Sequence, residues 1–229
     1  MVPPGGPVAL IRARLQAQGV RLFANDALGA HLAADDLAAI EAEAEARVRD
    51  LLSALLIDVE HDHNSRDTPA RMARMLVREV FAGRYTQRPD VADFPNAKAM
   101  HECYAVGPIT VRSTCAHHLC PIHGTAWCAV VPGDRIIGLS KFNRVCDWIL
   151  CRPQIQEEAV AQLADELQAL LQPRGLAVVI RATHACMTWR GVREHPDSGG
   201  GMVTMVTRGC LDGLAGHRAA FDLLRGAGF

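Results

Sequence analysis

The sequence predicts an α+β fold with a mainly antiparallel sheet. Two observations carry this. After Met100 the apolar pattern runs β-β-α-α-β-β and closes with a helix, whereas the preceding segment shows only helical periodicity. Hydrophobic residues make up 49% of the 229 positions, enough for a sizeable core and too many for a disordered chain.

Residues 1–30 begin Pro/Gly-rich and then lose clear patterning, so they are expected to form an extension with mobile ends. From Ala33 to about Val59, Leu37, Ile40, Ala44, Val48, Leu51, Leu52 and Leu55 fall near helical spacing, with Asp35 or Asp36 as cap. Thr68 followed by Pro69 opens a second helix running to about Phe81. Residues 83–99 are punctuated by Pro and Asp and read as a loop. His101–Ser113 and Thr125–Val131 are β-prone, with a loop expected around Pro121–Gly124. Leu139–Leu150 and Gln154–Leu171 have helical periodicity, and Pro153 marks their junction. Leu176–Ala182 and Met202–Thr207 read as strands, and Arg218–Leu224 as a closing helix. This divides the chain into an extension (1–30), a helical region (31–99) and an α+β domain (100–229).

The 24 Lys and Arg balance 25 Asp and Glu, so no charge footprint of a nucleic-acid binder is present. The first residues lack the apolar core of a secretory signal, and no apolar run approaches the roughly 20 residues that span a bilayer. A soluble, cytoplasmic protein without membrane partners is expected. There, eight cysteines are read as thiols or metal ligands rather than disulfides.

Ser113-Thr114-Cys115-Ala116-His117-His118 is the strongest chemical signal. Cys115 and His118 can reach one cation, and Cys186 in Thr183-His184-Ala185-Cys186 can complete a Cys2His set. Zinc accepts such donors, and three protein ligands with one open position is the catalytic pattern. The bland alternative is that each thiol is a small buried hydrophobe. Cys103, Cys120, Cys128, Cys146, Cys151 and Cys210 are read that way, and His61 and His63 as members of a solvated linker. His117 and His184 remain beside the ligands, with pKa values suited to proton transfer.

Ser140 stands like an N-cap before a helix carrying Lys141 and Arg144, an arrangement that suits an anion. Arg190 follows Cys186 by four residues, and Arg71 and Arg74 share one helix face. Each of these cations is also readable as a solvated surface charge, and for Arg71 and Arg74 taken alone that is the preferred reading. Gln156 and Glu157 open the next helix; a carboxylate there matches the helix dipole, and it can also accept from a guanine edge.

Taken together, Thr68-Pro69-Ala70-Arg71, Ser113-Thr114-Cys115 with His117-His118, Gly138-Leu139-Ser140-Lys141 with Arg144, Arg152-Pro153-Gln154-Ile155-Gln156-Glu157, and Thr183-His184-Ala185-Cys186 with Arg190-Gly191-Val192 resemble GTP cyclohydrolase I from about Thr68 to Phe221. The resemblance implies a tunnelling fold, with a four-stranded antiparallel sheet and two inserted helices (ββααββ). It implies a Zn2+ site of Cys115, His118 and Cys186, and His117 and His184 as the acid–base pair. Ser140 is counted with the catalytic residues and, with Lys141, Arg144 and Arg190, is placed around the ribose and triphosphate. Gln156 and Glu157 would hold the guanine, and Arg71 and Arg74 would reach over from a neighbouring subunit of a homodecamer of two pentameric rings. The implied reaction is hydrolysis of GTP at C8, with loss of formate and rearrangement to 7,8-dihydroneopterin triphosphate.

The chain departs from the family pattern in places. Ala116 stands where the family has Glu, Glu158 where it has Arg, and Trp127 where many members have His. The family's Ser/Thr-rich stretch becomes Ser198-Gly199-Gly200-Gly201, expected to be a mobile loop. The competing expectations are a diverged member with altered purine nucleotide specificity or arrest after ring opening, and a non-catalytic nucleotide-binding homologue. A nitrile reductase fits less well, because the matched cysteines have a zinc arrangement.

Overall fold

The computed structural model describes residues 5–194 and 201–229. Ser198, Gly199 and Gly200 of the expected loop, and His195, lie outside them. The chain divides into two compact units, Met1–Gln87 and Arg88–Phe229.

The first unit is helical. α1 (Pro7–Ala17) occupies a segment where the sequence showed only an extension. Its apolar positions are few, but Ile11 and Leu15 are buried with Leu28 and packed by Leu32, Ile40 and Tyr85. Tertiary burial, not periodicity, makes this helix. α2 (Asp36–Ala54) is tied to it by Asp36, which accepts from the Ala33 N–H at 2.7 Å and pairs with Arg14. α3 (Thr68–Arg74) begins at Thr68 with Asp67 as the cap. The expected single helix to Phe81 changes instead to a π-helical segment, Met75–Val80, before the short α4 (Ala82–Tyr85).

The second unit is a twisted sheet between helices. Its strands are β2 (Tyr104–Cys115), β3 (Pro121–Val131), β5 (Pro153–Gln154), β6 (Gly175–His184) and β7 (Gly201–Gly209), in the order β5-β2-β3-β6-β7. β2, β3, β6 and β7 pair antiparallel as expected; the two-residue β5 adds a parallel edge on β2 that the four-stranded expectation lacked. A separate ribbon joins β1 (Asp93–Pro95) to β4 (Arg135–Ile137), inside and beyond the segment read as a loop. The expected loop around Pro121–Gly124 is strand instead. Cys115 N–H donates to Cys120 O at 2.8 Å, so the turn closes at residues 116–120 and Pro121 opens β3, where its missing N–H is tolerated.

α5 (Leu139–Leu150) and α6 (Gln156–Leu171) cover one sheet face. On α5 the buried residues Phe142, Val145, Cys146, Ile149 and Leu150 follow the i, i+3, i+4, i+7 rule that the sequence displayed. α6 ends at Gln172 in the left-handed conformation, with Pro173 after it blocking continuation. The opposite face buries Trp127, Ala129, Ala177 and Val179 under α8 (Gly213–Gly226). β6 is therefore buried on both faces along Leu176–Ile180, which is why that stretch reads as an unbroken apolar run up to the exposed Arg181. Trp127 has a packing reason: Gly107 leaves room for its ring, and a Cβ there would lie 2.3 Å from it.

Candidate active site

The antiparallel register brings the ends of four strands together. Cys115 ends β2 opposite Gln154 of β5, and Ile122 at the start of β3 pairs with His184 at the end of β6. Partners 39 and 62 positions apart in sequence thereby meet at one end of the sheet. A short turn of helix, α7 (Ala185–Thr188), starts there and carries Cys186.

Cys115, His118 and Cys186 form a group whose ligand atoms lie within 4.8 Å of one another. Cys115 is buried, Cys186 partly so and His118 exposed. Burial pushes the Cys186 thiol above its ordinary pKa, and hydrogen bonding and proximity to Cys115 add to this. Two adjacent thiols cannot both ionise cheaply alone; a cation between them removes the penalty. The donor set therefore fits a metal ion. It fits an enzymatic centre better than a structural one, because one side is exposed and a fourth protein donor is missing among the described residues.

Arg190 Nη1 lies 3.0 Å from His118 Nε2. A guanidinium can only donate, so His118 Nε2 is the acceptor in this contact. His117, exposed on the same turn, has Nδ1 3.8 Å from Cys115 Sγ.

A cleft of about 450 Å3 opens beside the group, lined by Cys115, His117, Gln156, Glu157, His184 and Cys186 among others. His184 is half-buried in it, and burial holds its pKa below the ordinary value against the opposing charge of Glu157. Its Nε2 is 2.8 Å from Gln156 Oε1. Gln156 is only 3% exposed, and its Nε2 lies within 3.1 Å of Ile180 O, Met202 O and Thr204 Oγ1. Glu157, the next residue, is exposed on the cleft wall.

The other expected residues are placed differently. Ser140, Lys141 and Arg144 sit on the first turns of α5 and are not among the residues lining the cleft. Ser140 is not the cap: Gly138 holds that position, and no side chain caps the helix. Lys141 Nζ donates to Asp90 O at 3.4 Å. Arg71 and Arg74 are exposed on α3 of the first unit, Arg71 paired with Asp67 at 3.1 Å. Sequence reasoning missed Glu194 and Met202 in the cleft wall and Thr204 beneath it. The alternation along β7 was a usable signal for Thr204; Glu194 lies in irregular chain and had none.

A candidate metal group open on one side, with a half-buried imidazole in the adjoining cleft, fits the class of metal-dependent enzymes. The family model of GTP cyclohydrolase I matches residues 44–222. The GTP cyclohydrolase 1 of Mycobacteroides abscessus is 43% identical over 187 residues, 80% of this chain and 89% of that protein. That of Mycobacterium tuberculosis is 43% identical over 184 residues, 79% of this chain and 89% of the relative. The chain belongs to the GTP cyclohydrolase I family. The crystal structure of the archaeosine synthase QueF-Like in the apo form aligns with 54% of this chain and 97% of its own at a TM-score of 0.34 and 11% identity.

Proposed function

We propose that this protein is a GTP cyclohydrolase I that hydrolyses GTP at C8, releases formate and forms 7,8-dihydroneopterin triphosphate. The observation that carries the reading is one cleft holding both the Cys115, His118, Cys186 group and the Gln156-bound His184, in a chain of this family. Two thiols and an imidazole favour zinc among common ions. When bound, zinc supplies Lewis-acid activation of water at neutral pH.

The chain's own groups supply the rest. His184 donates Nε2–H to Gln156, which leaves Nδ1 as the atom that takes and returns a proton. His117 is the second imidazole of the acid–base pair, exposed on the turn that carries His118. Glu157 accepts from the N1/N2 edge of guanine. Arg190, beside His118, meets the polyphosphate, with Ser140, Lys141 and Arg144 supplying the remaining polar groups and charge around the ribose and triphosphate. Because these α5 residues do not line the cleft of their own unit, the reading includes a homodecamer in which another copy completes the site, Arg71 and Arg74 contributing across the interface. β7 lies at the sheet edge with Val203 half-exposed, which supports assembly through that edge. The tunnelling fold, the division at residues 30 and 99, and a cytoplasmic location belong to the same reading.

The test is product analysis. Zinc-loaded protein given GTP releases formate and yields a pterin that fluoresces after oxidation, and chelation stops both. Absence of both products with metal bound overturns the reading. Ala116, without the family's carboxylate beside Cys115, favours a second reading in which turnover stops after ring opening or another purine nucleotide is preferred. Mass spectrometry of the products separates the two.

A further inference from the structure

We propose that the Gln156 side chain is a positioning residue that fixes the orientation and tautomer of His184, and that it does not read the guanine base. The proposal rests on the reading of His184 as the acid–base group. The Gln156 amide is buried, and its nitrogen faces two main-chain carbonyls and a threonine hydroxyl: Ile180 O at 3.1 Å, Met202 O at 3.0 Å and Thr204 Oγ1 at 3.1 Å. These acceptors belong to β6 and β7, two strands held in register along their length. Turning the amide over would aim its oxygen at two carbonyl oxygens, so the oxygen must point to His184. An amide oxygen only accepts, hence His184 carries a hydrogen on Nε2, and in the neutral ring the lone pair is on Nδ1. A base-reading side chain needs donors and acceptors left over for the ligand. Here both amide hydrogens are committed to protein, the oxygen accepts from His184, and burial of the side chain keeps its second lone pair from a ligand. The neighbouring Glu157 is exposed on the same wall and is left to contact the base.

The experiment compares wild type, Gln156→Met and Thr204→Val. GTP affinity is measured by equilibrium dialysis on metal-free protein, and kcat and KM on zinc-loaded protein with GTP and inosine triphosphate. Positioning predicts that Gln156→Met binds GTP within about threefold of wild type and keeps the preference for guanine, while kcat falls by about 10²–10³, within the range of lost acid–base assistance. Thr204→Val, which leaves the His184 contact in place, should cost less than about tenfold in kcat, by the same range for assistance retained. A tenfold or greater loss of GTP affinity in Gln156→Met, or loss of discrimination against inosine triphosphate with kcat preserved, overturns the proposal. If Gln156→Met does not fold, Gln156→Ala decides: GTP affinity within about threefold and kept discrimination with a lowered kcat support positioning, and a tenfold loss of affinity or lost discrimination overturns it. Failure of the wild type itself to turn over GTP overturns the proposed function instead, and is seen before any variant is compared.

Discussion

Cys186 shows how much a single side chain depends on distant sequence. It is 71 positions from Cys115, yet the two thiols are neighbours because β2, β3 and β6 end together. Replacing Cys186 with Ala leaves two donors, too few to hold zinc firmly. Metal content measured on the purified variant should fall from near one zinc per chain to a small fraction, and formate release should fall with it. His184→Ala removes a different function. It should leave metal content unchanged and lower kcat by about 10²–10⁴, the span of lost general acid–base catalysis. Atomic absorption on the same samples separates the two variants. His117→Ala should retain metal as well, since the grouped ligand atoms belong to His118 and not to its neighbour. The sequence read His118, three residues from Cys115, as the ligand and His117 as its neighbour, and the turn groups His118 with the two thiols.

Among the elements, the junction of α1 and α2 depends on Asp36. Burial pushes its carboxyl pKa up, but the Ala33 N–H and the Arg14 guanidinium outweigh this and hold it below the ordinary carboxylate value. A carboxylate with a depressed folded pKa stabilises above its unfolded pKa of about 3.9, and this contribution is lost as pH falls through the folded value. Asp36→Asn should therefore lower the stability of the first unit by about 1 kcal/mol at pH 7, given a partly exposed partner. The gap between variant and wild type should close as denaturation is repeated at falling pH below about 4. A second element is constrained by space. A Cβ at Gly124 would lie 2.0 Å from Arg181 O, so β3 and β6 approach each other there more closely than any side chain permits. Gly124→Val should disrupt the ladder next to His123 and Thr183 and reduce both folding yield and metal retention, read by circular dichroism and zinc content. Helices α5 and α6 were legible because their buried positions repeat every 3.6 residues. α1 and the β1–β4 ribbon were not, since short elements are made by contacts rather than by period.

For the molecule as a whole, the second unit is organised by a sheet buried on both faces, with the larger core under α5 and α6. Leu163, fully buried in that core, should cost about 2–5 kcal/mol when truncated to Ala, seen as a lower midpoint in thermal or urea unfolding. The catalytic end of the sheet should lose activity only in proportion to unfolding, because Leu163 lies a turn or more along α6 from Gln156 and Glu157. Assembly is the other question at this scale. Purified protein in analytical ultracentrifugation should sediment as a decamer if another copy completes the site. Dilution to smaller species should then raise KM for GTP before it lowers metal content.

The sequence by itself determined the fold class, the two long helices of the second unit, the candidate donor set of Cys115, His118 and Cys186, and the family. Each of these is written in local pattern or in short motifs, and local pattern survives without knowledge of what packs against what. Only the tertiary structure decided which atoms face one another. It showed that Gln156 is spent on His184, that Arg190 meets His118, and that Ser140, Lys141 and Arg144 lie off the cleft of their own unit. Those relations follow from strand register and from burial, which are set by contacts between residues far apart in the chain.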